Sequence, residues 1–213
     1  MSLEVCEIFY SIQGEGPKIG KPVVFLRLGG CNLKCKWCDT KYAWNYVDNE
    51  SMTNKKIIQE IKKYPCKNVV ITGGEPLLQQ EDLKSLLDEL KGYAFELETN
   101  GSIPLKINNK FEQINCSPKL MSSGNVAYPL KVLPTNKKAA FKFIISKKSD
   151  IEEVKTFCRK YKIPKEKIWL MPEGTKKETI IKKSIWLIEI CKKEGYNFSP
   201  RLHIMLWGNK KGV

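Results

Sequence analysis

Apolar and polar positions along this chain repeat with two periods. Short apolar runs read as strands at Val23–Leu28, Asn68–Ile71, Ala94–Glu98, Gln113–Asn115, Ala140–Ile145, Lys167–Met171 and Leu202–Leu206. Between several of them the period lengthens to that of a helix. Leu83, Leu86, Leu87 and Leu90 follow the i, i+3, i+4, i+7 rule, and Val154, Phe157, Cys158 and Tyr161 repeat it. A third helix is expected around Ile181, Ile185 and Ile188, and Ile57 with Ile61 marks a shorter one after Thr53. Ser149 with Glu152, and Thr175 with Glu178, have the spacing of a capping box at two helix starts. Cys158 and Cys191 fall on apolar helix faces and are expected in the core.

Alternating strands and helices predict an α/β fold, a mainly parallel sheet with helices outside. The polar, Gly- and Pro-containing segments then recur just after strands. These are Cys31–Thr40, Thr72-Gly73-Gly74-Glu75-Pro76, Glu98-Thr99-Asn100-Gly101, Ser117-Pro118-Lys119 and Met171-Pro172-Glu173-Gly174. In parallel α/β sheets and barrels the carboxyl ends of the strands build the active site. Any one of these segments is ordinary turn chemistry, whereas their recurrence on one rim predicts a single site.

Length and charge set the frame. The 213 residues suit one domain spanning 1–213, large enough to bury a sizeable core. No run is long enough to cross a bilayer and no targeting segment is visible, so the expectation is a cytoplasmic protein without a membrane partner. The net charge of +14 comes mostly from scattered lysine pairs such as Lys62-Lys63 and Lys192-Lys193. A solvated lysine-rich surface accounts for it; an acidic electron carrier is a consistent partner. Nucleic acid is not expected, because no RNA-binding motif accompanies the charge.

Cys31, Cys35 and Cys38 carry the sharpest chemistry. Three thiolates at this spacing, on a loop leaving a strand, can ligate three corners of an iron–sulfur cube and leave the fourth iron open to a cofactor. A structural zinc site would want a fourth ligand. The single histidine, His203, is far away, and Cys6, Cys66, Cys116, Cys158 and Cys191 are scattered. Gly73 and Gly74 remove side chains at a strand end, so a ligand can approach the backbone there.

The Cys-x3-Cys-x2-Cys loop together with Gly73-Gly74-Glu75-Pro76 resembles the radical S-adenosylmethionine (SAM) superfamily. Phe9-Tyr10-Ser11-Ile12-Gln13-Gly14-Glu15-Gly16, Arg27, Asp39-Thr40 after the last cysteine, and Leu202-His203-Ile204-Met205-Leu206-Trp207-Gly208 narrow the resemblance to the 7-carboxy-7-deazaguanine synthases. It runs from about Glu7 to the C-terminus. It implies an incomplete (β/α) barrel, a shortened radical SAM core. It also implies the ring contraction of 6-carboxy-5,6,7,8-tetrahydropterin to 7-carboxy-7-deazaguanine, with loss of ammonia, in 7-deazaguanine and queuosine biosynthesis. In that family the reduced cluster gives an electron to SAM, and the resulting 5′-deoxyadenosyl radical takes hydrogen from C6 of the pterin. SAM is regenerated, and no separate acid–base dyad is expected.

Carried over residue by residue, the resemblance makes Cys31, Cys35 and Cys38 the ligands of a [4Fe-4S] cluster. It places Trp37, Cys38, Asp39, Gly74, Ser117, Pro118, Lys119, Met171, Pro172, Glu173 and Gly174 along SAM, with Glu98, Thr99 and Asn100 as polar neighbours. Ile12, Gln13, Gly14, Glu15, Arg27, Thr72 and His203 are implied on the pterin. Glu15 would face the guanidine-like edge of the ring and Arg27 would fork onto the carboxylate, although a salt-bridged strand arginine is the plainer reading of Arg27. Thr40 is implied as a Mg²⁺ ligand, in keeping with a hard cation's preference for oxygen. A homodimer and a flavodoxin-type acidic electron donor are the family's expected partners.

One departure concerns the tail. In some members the chain stops soon after the histidine and its terminal carboxylate reaches the pterin. Here Trp207 to Val213 follow, and a contact from Val213 is not expected. Two other readings compete. A glycyl-radical-enzyme activase shares the cysteine triad but has no use for Gln13-Gly14-Glu15-Gly16, Thr40 or the His203 segment. A non-catalytic iron–sulfur or zinc module binding RNA through lysines leaves the clustered rim motifs unexplained.

Overall fold

The computed structural model describes residues 1–213. Its strands are β1 (Ser2–Ile12), β2 (Pro22–Leu28), β3 (Glu50–Thr53), β4 (Asn68–Gly73), β5 (Ala94–Thr99), β6 (Gln113–Cys116), β7 (Ala139–Ile145), β8 (Ile168–Pro172) and β9 (Asn197–Phe198). They form one open sheet in the order β3-β1-β2-β4-β5-β6-β7-β8-β9. β1 runs antiparallel to β2 and β3, and every other pairing is parallel. The helices are α1 (Asn54–Lys62), α2 (Gln80–Glu89), α3 (Asp150–Tyr161), α4 (Lys177–Glu194) and α5 (Leu202–Trp207). The connections β5 to β6 and β6 to β7 contain only short 3-10 turns, so the outer ring of helices has a gap. This is the incomplete (β/α) barrel the sequence implied.

β2, β4, β7 and β8 are mostly apolar, as suits strands covered on both faces, whereas β5 and β6 carry Glu96, Glu98, Gln113 and Asn115 among their apolar residues. β7, Ala-Ala-Phe-Lys-Phe-Ile-Ile, is buried at every position except Ile144. The core gathers Leu26, Val69, Ile71, Leu97, Phe141, Phe143 and Leu170 from the strands with Ile57, Leu83, Leu86, Val154 and Leu187 from the helices. Cys158 and Cys191 are buried in it, as expected.

The loop between β1 and β2 positions the site. It leaves β1 at Ile12 and crosses to the far strands. There the Gly16 N–H donates to Ser199 Oγ at 2.8 Å and the Leu202 N–H to the Gly14 carbonyl at 3.0 Å. A side chain at Gly14 would collide with the imidazole of His203, so the crossing requires glycine there.

Several expectations are corrected. Leu202–Leu206 is helical (α5), not a strand; a short apolar run cannot by itself distinguish the two, and only Ile204 of this helix is buried. The capping boxes do not form. Ser149 has helical dihedrals and no capping bond; instead Asp150 Oδ2 accepts the N–H groups of Ser146 and Lys147 at 2.8 and 3.1 Å. α4 begins after Lys176 without a side-chain cap. Thr53 does cap α1, its hydroxyl accepting the Lys56 N–H. α4 also buries a different face: Ile180, Leu187 and Cys191 point to the core, while Ile181, Ile185 and Ile188 are 41%, 67% and 37% exposed.

Candidate active site

A cavity of about 490 Å³ opens at the carboxyl ends of the parallel strands. All five rim segments line it: the cysteine loop, Thr72 to Gly74, Glu98 to Asn100, Ser117 with Lys119, and Met171 with Glu173. Ile12, Gln13, Gly14, Glu15, Arg27, Asp39, Thr40 and His203 line it as well. Pro118, Pro172 and Gly174 do not reach the wall.

The cysteine loop is held from several sides. The Cys31 N–H donates to the Trp44 carbonyl at 3.1 Å and the Lys36 N–H to the Ser123 carbonyl at 2.9 Å. Asn125 Nδ2 donates to Cys35 Sγ at 3.1 Å, and the Leu33 N–H lies 3.4 Å from Cys31 Sγ. Burial pushes the Cys31 and Cys38 thiols up, while N–H groups of Leu33, on the first, and of Thr40 and Trp44, on the second, pull them back. Such donors stabilise thiolates in cluster sites.

The residues present fit an iron–sulfur cluster and SAM. Cys31, Cys35 and Cys38 are free thiols on one cavity wall, yet no three His, Cys, Asp or Glu side chains converge to hold a single metal ion. A cube takes each thiolate on a different iron, so this arrangement suits a cluster better than a closed zinc site. The buried indole N–H of Trp37, on the same wall, has no partner within the protein. A Cβ on Gly74 would come within 2.2 Å of the Gly30 carbonyl oxygen, so only glycine lets this strand end pack against the cysteine loop. Glu75 is fully buried and braces that junction, accepting from Thr99 Oγ1 at 2.8 Å, the Asn100 N–H at 2.6 Å and the Leu77 N–H at 3.1 Å.

The same cavity is also lined by a buried charge network. Glu15 Oε2 accepts from Lys142 Nζ at 2.6 Å and Oε1 from Arg201 Nε at 3.1 Å. Although burial pushes Glu15 up, Lys142 and then Arg201 hold it far below the usual carboxylate range. Lys142 also donates to Glu98 Oε2 at 2.9 Å. His203 Nε2 stands 3.8 Å from Glu15 Oε1, and burial pushes its pKa down. Gln13, which lines the cavity, is also engaged within the protein. Its Nε2 donates to Glu96 and its Oε1 accepts the Glu15 N–H at 3.2 Å, so this amide is the post on which the loop stands. Arg27 forms the plainer salt bridge, Nε to Glu7 Oε1 at 2.6 Å, and its two terminal nitrogens remain without a hydrogen bond.

Lys142, Arg201 and Trp44 were missed from the sequence, as was the pair in which Asn115 Nδ2 donates to Glu96 Oε1 at 2.6 Å. A lysine interrupting the apolar run of β7 was the one available signal. The tail also lines the cavity: Asn209 to Val213 stand on its wall, and Lys211 Nζ lies 4.5 Å from the centre of the Tyr42 ring. Thr40 Oγ1 donates to Asp39 Oδ1 at 2.7 Å, placing a hydroxyl and a carboxylate side by side.

Fold and cavity together define a radical SAM enzyme, and the profile of the Radical SAM superfamily matches residues 26–197. A 7-carboxy-7-deazaguanine synthase of Pyrobaculum aerophilum is 37% identical over 99% of this chain and 97% of its own. One of Hyperthermus butylicus is 36% identical over 96% and 92%. The crystal structure of QueE from Escherichia coli superposes with a TM-score of 0.76, at 26% identity and 95% coverage of both chains. The chain belongs to the 7-carboxy-7-deazaguanine synthase family. It is accordingly a radical SAM lyase that uses a [4Fe-4S] cluster and SAM.

Proposed function

We propose that this cavity contracts 6-carboxy-5,6,7,8-tetrahydropterin to 7-carboxy-7-deazaguanine with loss of ammonia, residues 1–213 acting as one domain. The observation that carries the assignment is that the cysteine loop and the Glu15 network line one and the same cavity. Cys31, Cys35 and Cys38 hold the cluster, and Trp37 to Asp39, Gly74, Ser117, Lys119, Met171 and Glu173 form the SAM side, with Pro118, Pro172 and Gly174 completing the backbone of those segments. The bound cluster and SAM supply one-electron radical chemistry.

The chain's own residues bind, orient and exclude water. Glu15, kept ionised by two cations, accepts from the guanidine-like edge of the ring. The free nitrogens of Arg27 meet the pterin carboxylate. Thr72 and His203 complete the polar rim. Thr40 supplies a hydroxyl to Mg²⁺, with Asp39 beside it. The tail residues 209–213 contribute to the cavity lining.

No helix is long and apolar enough to cross a membrane, and the pathway reading puts the enzyme in the cytoplasm. An acidic electron donor of flavodoxin type fits the exposed Lys34 and Lys41, whose Nζ atoms lie 4.9 and 5.7 Å from the centre of the Trp44 ring beside the cysteine loop. A homodimer would cover the exposed stripe on α4.

Equilibrium binding of 6-carboxy-5,6,7,8-tetrahydropterin to the anaerobically reconstituted protein tests the assignment. Saturable binding that weakens at least tenfold in Arg27→Ala is expected. No binding, with SAM bound normally, would return the substrate side to the activase reading.

A further inference from the structure

Arg201 joins the two sides of the cavity. Its side chain is buried, and its three nitrogens each take a different acceptor: Nε the Glu15 Oε1 at 3.1 Å, Nη1 the Gly174 carbonyl at 2.6 Å, and Nη2 the Asp39 Oδ2. These acceptors belong to three separate segments. Glu15 is on the loop between β1 and β2, on the pterin side. Asp39 directly follows Cys38, and Gly174 follows β8, both on the SAM side.

A guanidinium is a rigid planar fork, so a displacement at one acceptor tilts the bonds to the other two. Glu15 cannot turn to compensate, because Lys142 holds its second oxygen at 2.6 Å and is itself anchored on Glu98. Order imposed on Asp39 and Gly174 therefore fixes the face that Glu15 presents, and order imposed on Glu15 fixes Asp39 and Gly174.

We propose that Arg201 is a positioning residue that couples the two halves of the site, so that SAM and the pterin each tighten the other's binding. The inference rests on the substrate and cofactor sides assigned above. Its thermodynamic basis is that the cost of ordering the shared strut is met once: the first ligand orders it, and the second binds to a site already set. The coupling is reciprocal by linkage.

The test is equilibrium dialysis on the reconstituted holoenzyme with its cluster left oxidised, so that nothing turns over. The dissociation constant of SAM is measured with and without saturating pterin, and that of the pterin with and without saturating SAM. In the wild type both should tighten by the same factor, on the order of 5- to 100-fold. In Arg201→Lys, where one ammonium cannot span three acceptors, the factor should fall towards one while each ligand alone binds within several-fold of wild type. A merely structural arginine predicts the reverse, both ligands weakened singly and the factor kept. That result, or a wild-type factor of one, overturns the inference. Should Arg201→Lys fail to show a cooperative thermal transition, Arg201→Gln takes its place, since its two amide donors cannot span the three acceptors either; a retained factor there is equally contrary. Wild-type protein that binds SAM but no pterin would remove the substrate assignment itself, and the coupling with it.

Discussion

Glu15 and Glu96 lie within one buried network and respond to pH with opposite signs. Glu15 is held below the ordinary carboxylate range by Lys142 and Arg201 against the effect of burial. It therefore contributes stability that is complete above the unfolded value of roughly 4.3 and lost as pH falls through its folded value. Glu96 is pushed up, by burial first and then by the charge of Glu98, and its Oε2 has no partner. The folded protein holds that proton more tightly than the unfolded chain, so stability falls as pH rises from roughly 4.3 towards neutrality. Glu96→Gln should accordingly raise the urea midpoint at pH 8 and leave it nearly unchanged at pH 4. Equal shifts at both values would contradict the assignment. Lys142→Met leaves two carboxylates in the cavity wall short of their cation, and should lower unfolding stability by about 3–5 kcal/mol at pH 7. A loss that small surface changes produce, under about 0.5 kcal/mol, would mean that the network is not a structural unit.

Legibility at this scale followed distance along the chain. Cys31, Cys35 and Cys38 lie within eight residues of one another, and Gly73 with Gly74 is a dipeptide, so each could be read where it stood. Arg201 and Glu15 are separated by 186 positions and Lys142 and Glu15 by 127, and nothing local marks either pair. Gln13 shows the converse limit. Its presence was legible, but whether its amide faced a ligand or a carboxylate beneath the loop depended on Glu96 of β5.

Elements were legible where a long period carried them. α2 and α3 lie where the leucine and the Val154–Tyr161 patterns put them, and β2 and β4 to β8 fall within one or two residues of their apolar runs, whereas the two-residue β9 was not predicted. β1 escaped notice because its residues are mostly half-buried with charged Glu4 and Glu7 between, as suits an antiparallel strand near a sheet edge. At the start of α3 Asp150, one residue after Ser149, is the local acceptor in place of the capping box, while α4 starts after Lys176 with no side-chain cap at all. The cap that did form gives a simple check: Thr53→Ala should destabilise by about 1 kcal/mol in denaturant unfolding without altering cofactor content. No measurable change would mean that Lys56 N–H is satisfied by water instead.

At the scale of the whole molecule, an open sheet with two helix-free crossovers leaves room for a ligand-sized cavity, and the crossing loop from β1 carries Glu15 into it. The stripe of Ile181, Ile185 and Ile188 lies outside that machinery. If it is the subunit contact, Ile185→Glu should shift sedimentation from dimer to monomer and leave the iron content intact. A wild-type protein that sediments as a monomer at micromolar concentration would exclude the dimer.

One cavity brings a cysteine-held cluster against a carboxypterin, and its product is the decisive observable. An anaerobic assay of reconstituted protein with SAM, Mg²⁺, a reductant and 6-carboxy-5,6,7,8-tetrahydropterin, followed by mass spectrometry, measures it. A product lighter than the substrate by ammonia is expected, formed over many turnovers per SAM and absent in Cys35→Ala. Formation of 5′-deoxyadenosine with no change in the pterin would contradict it.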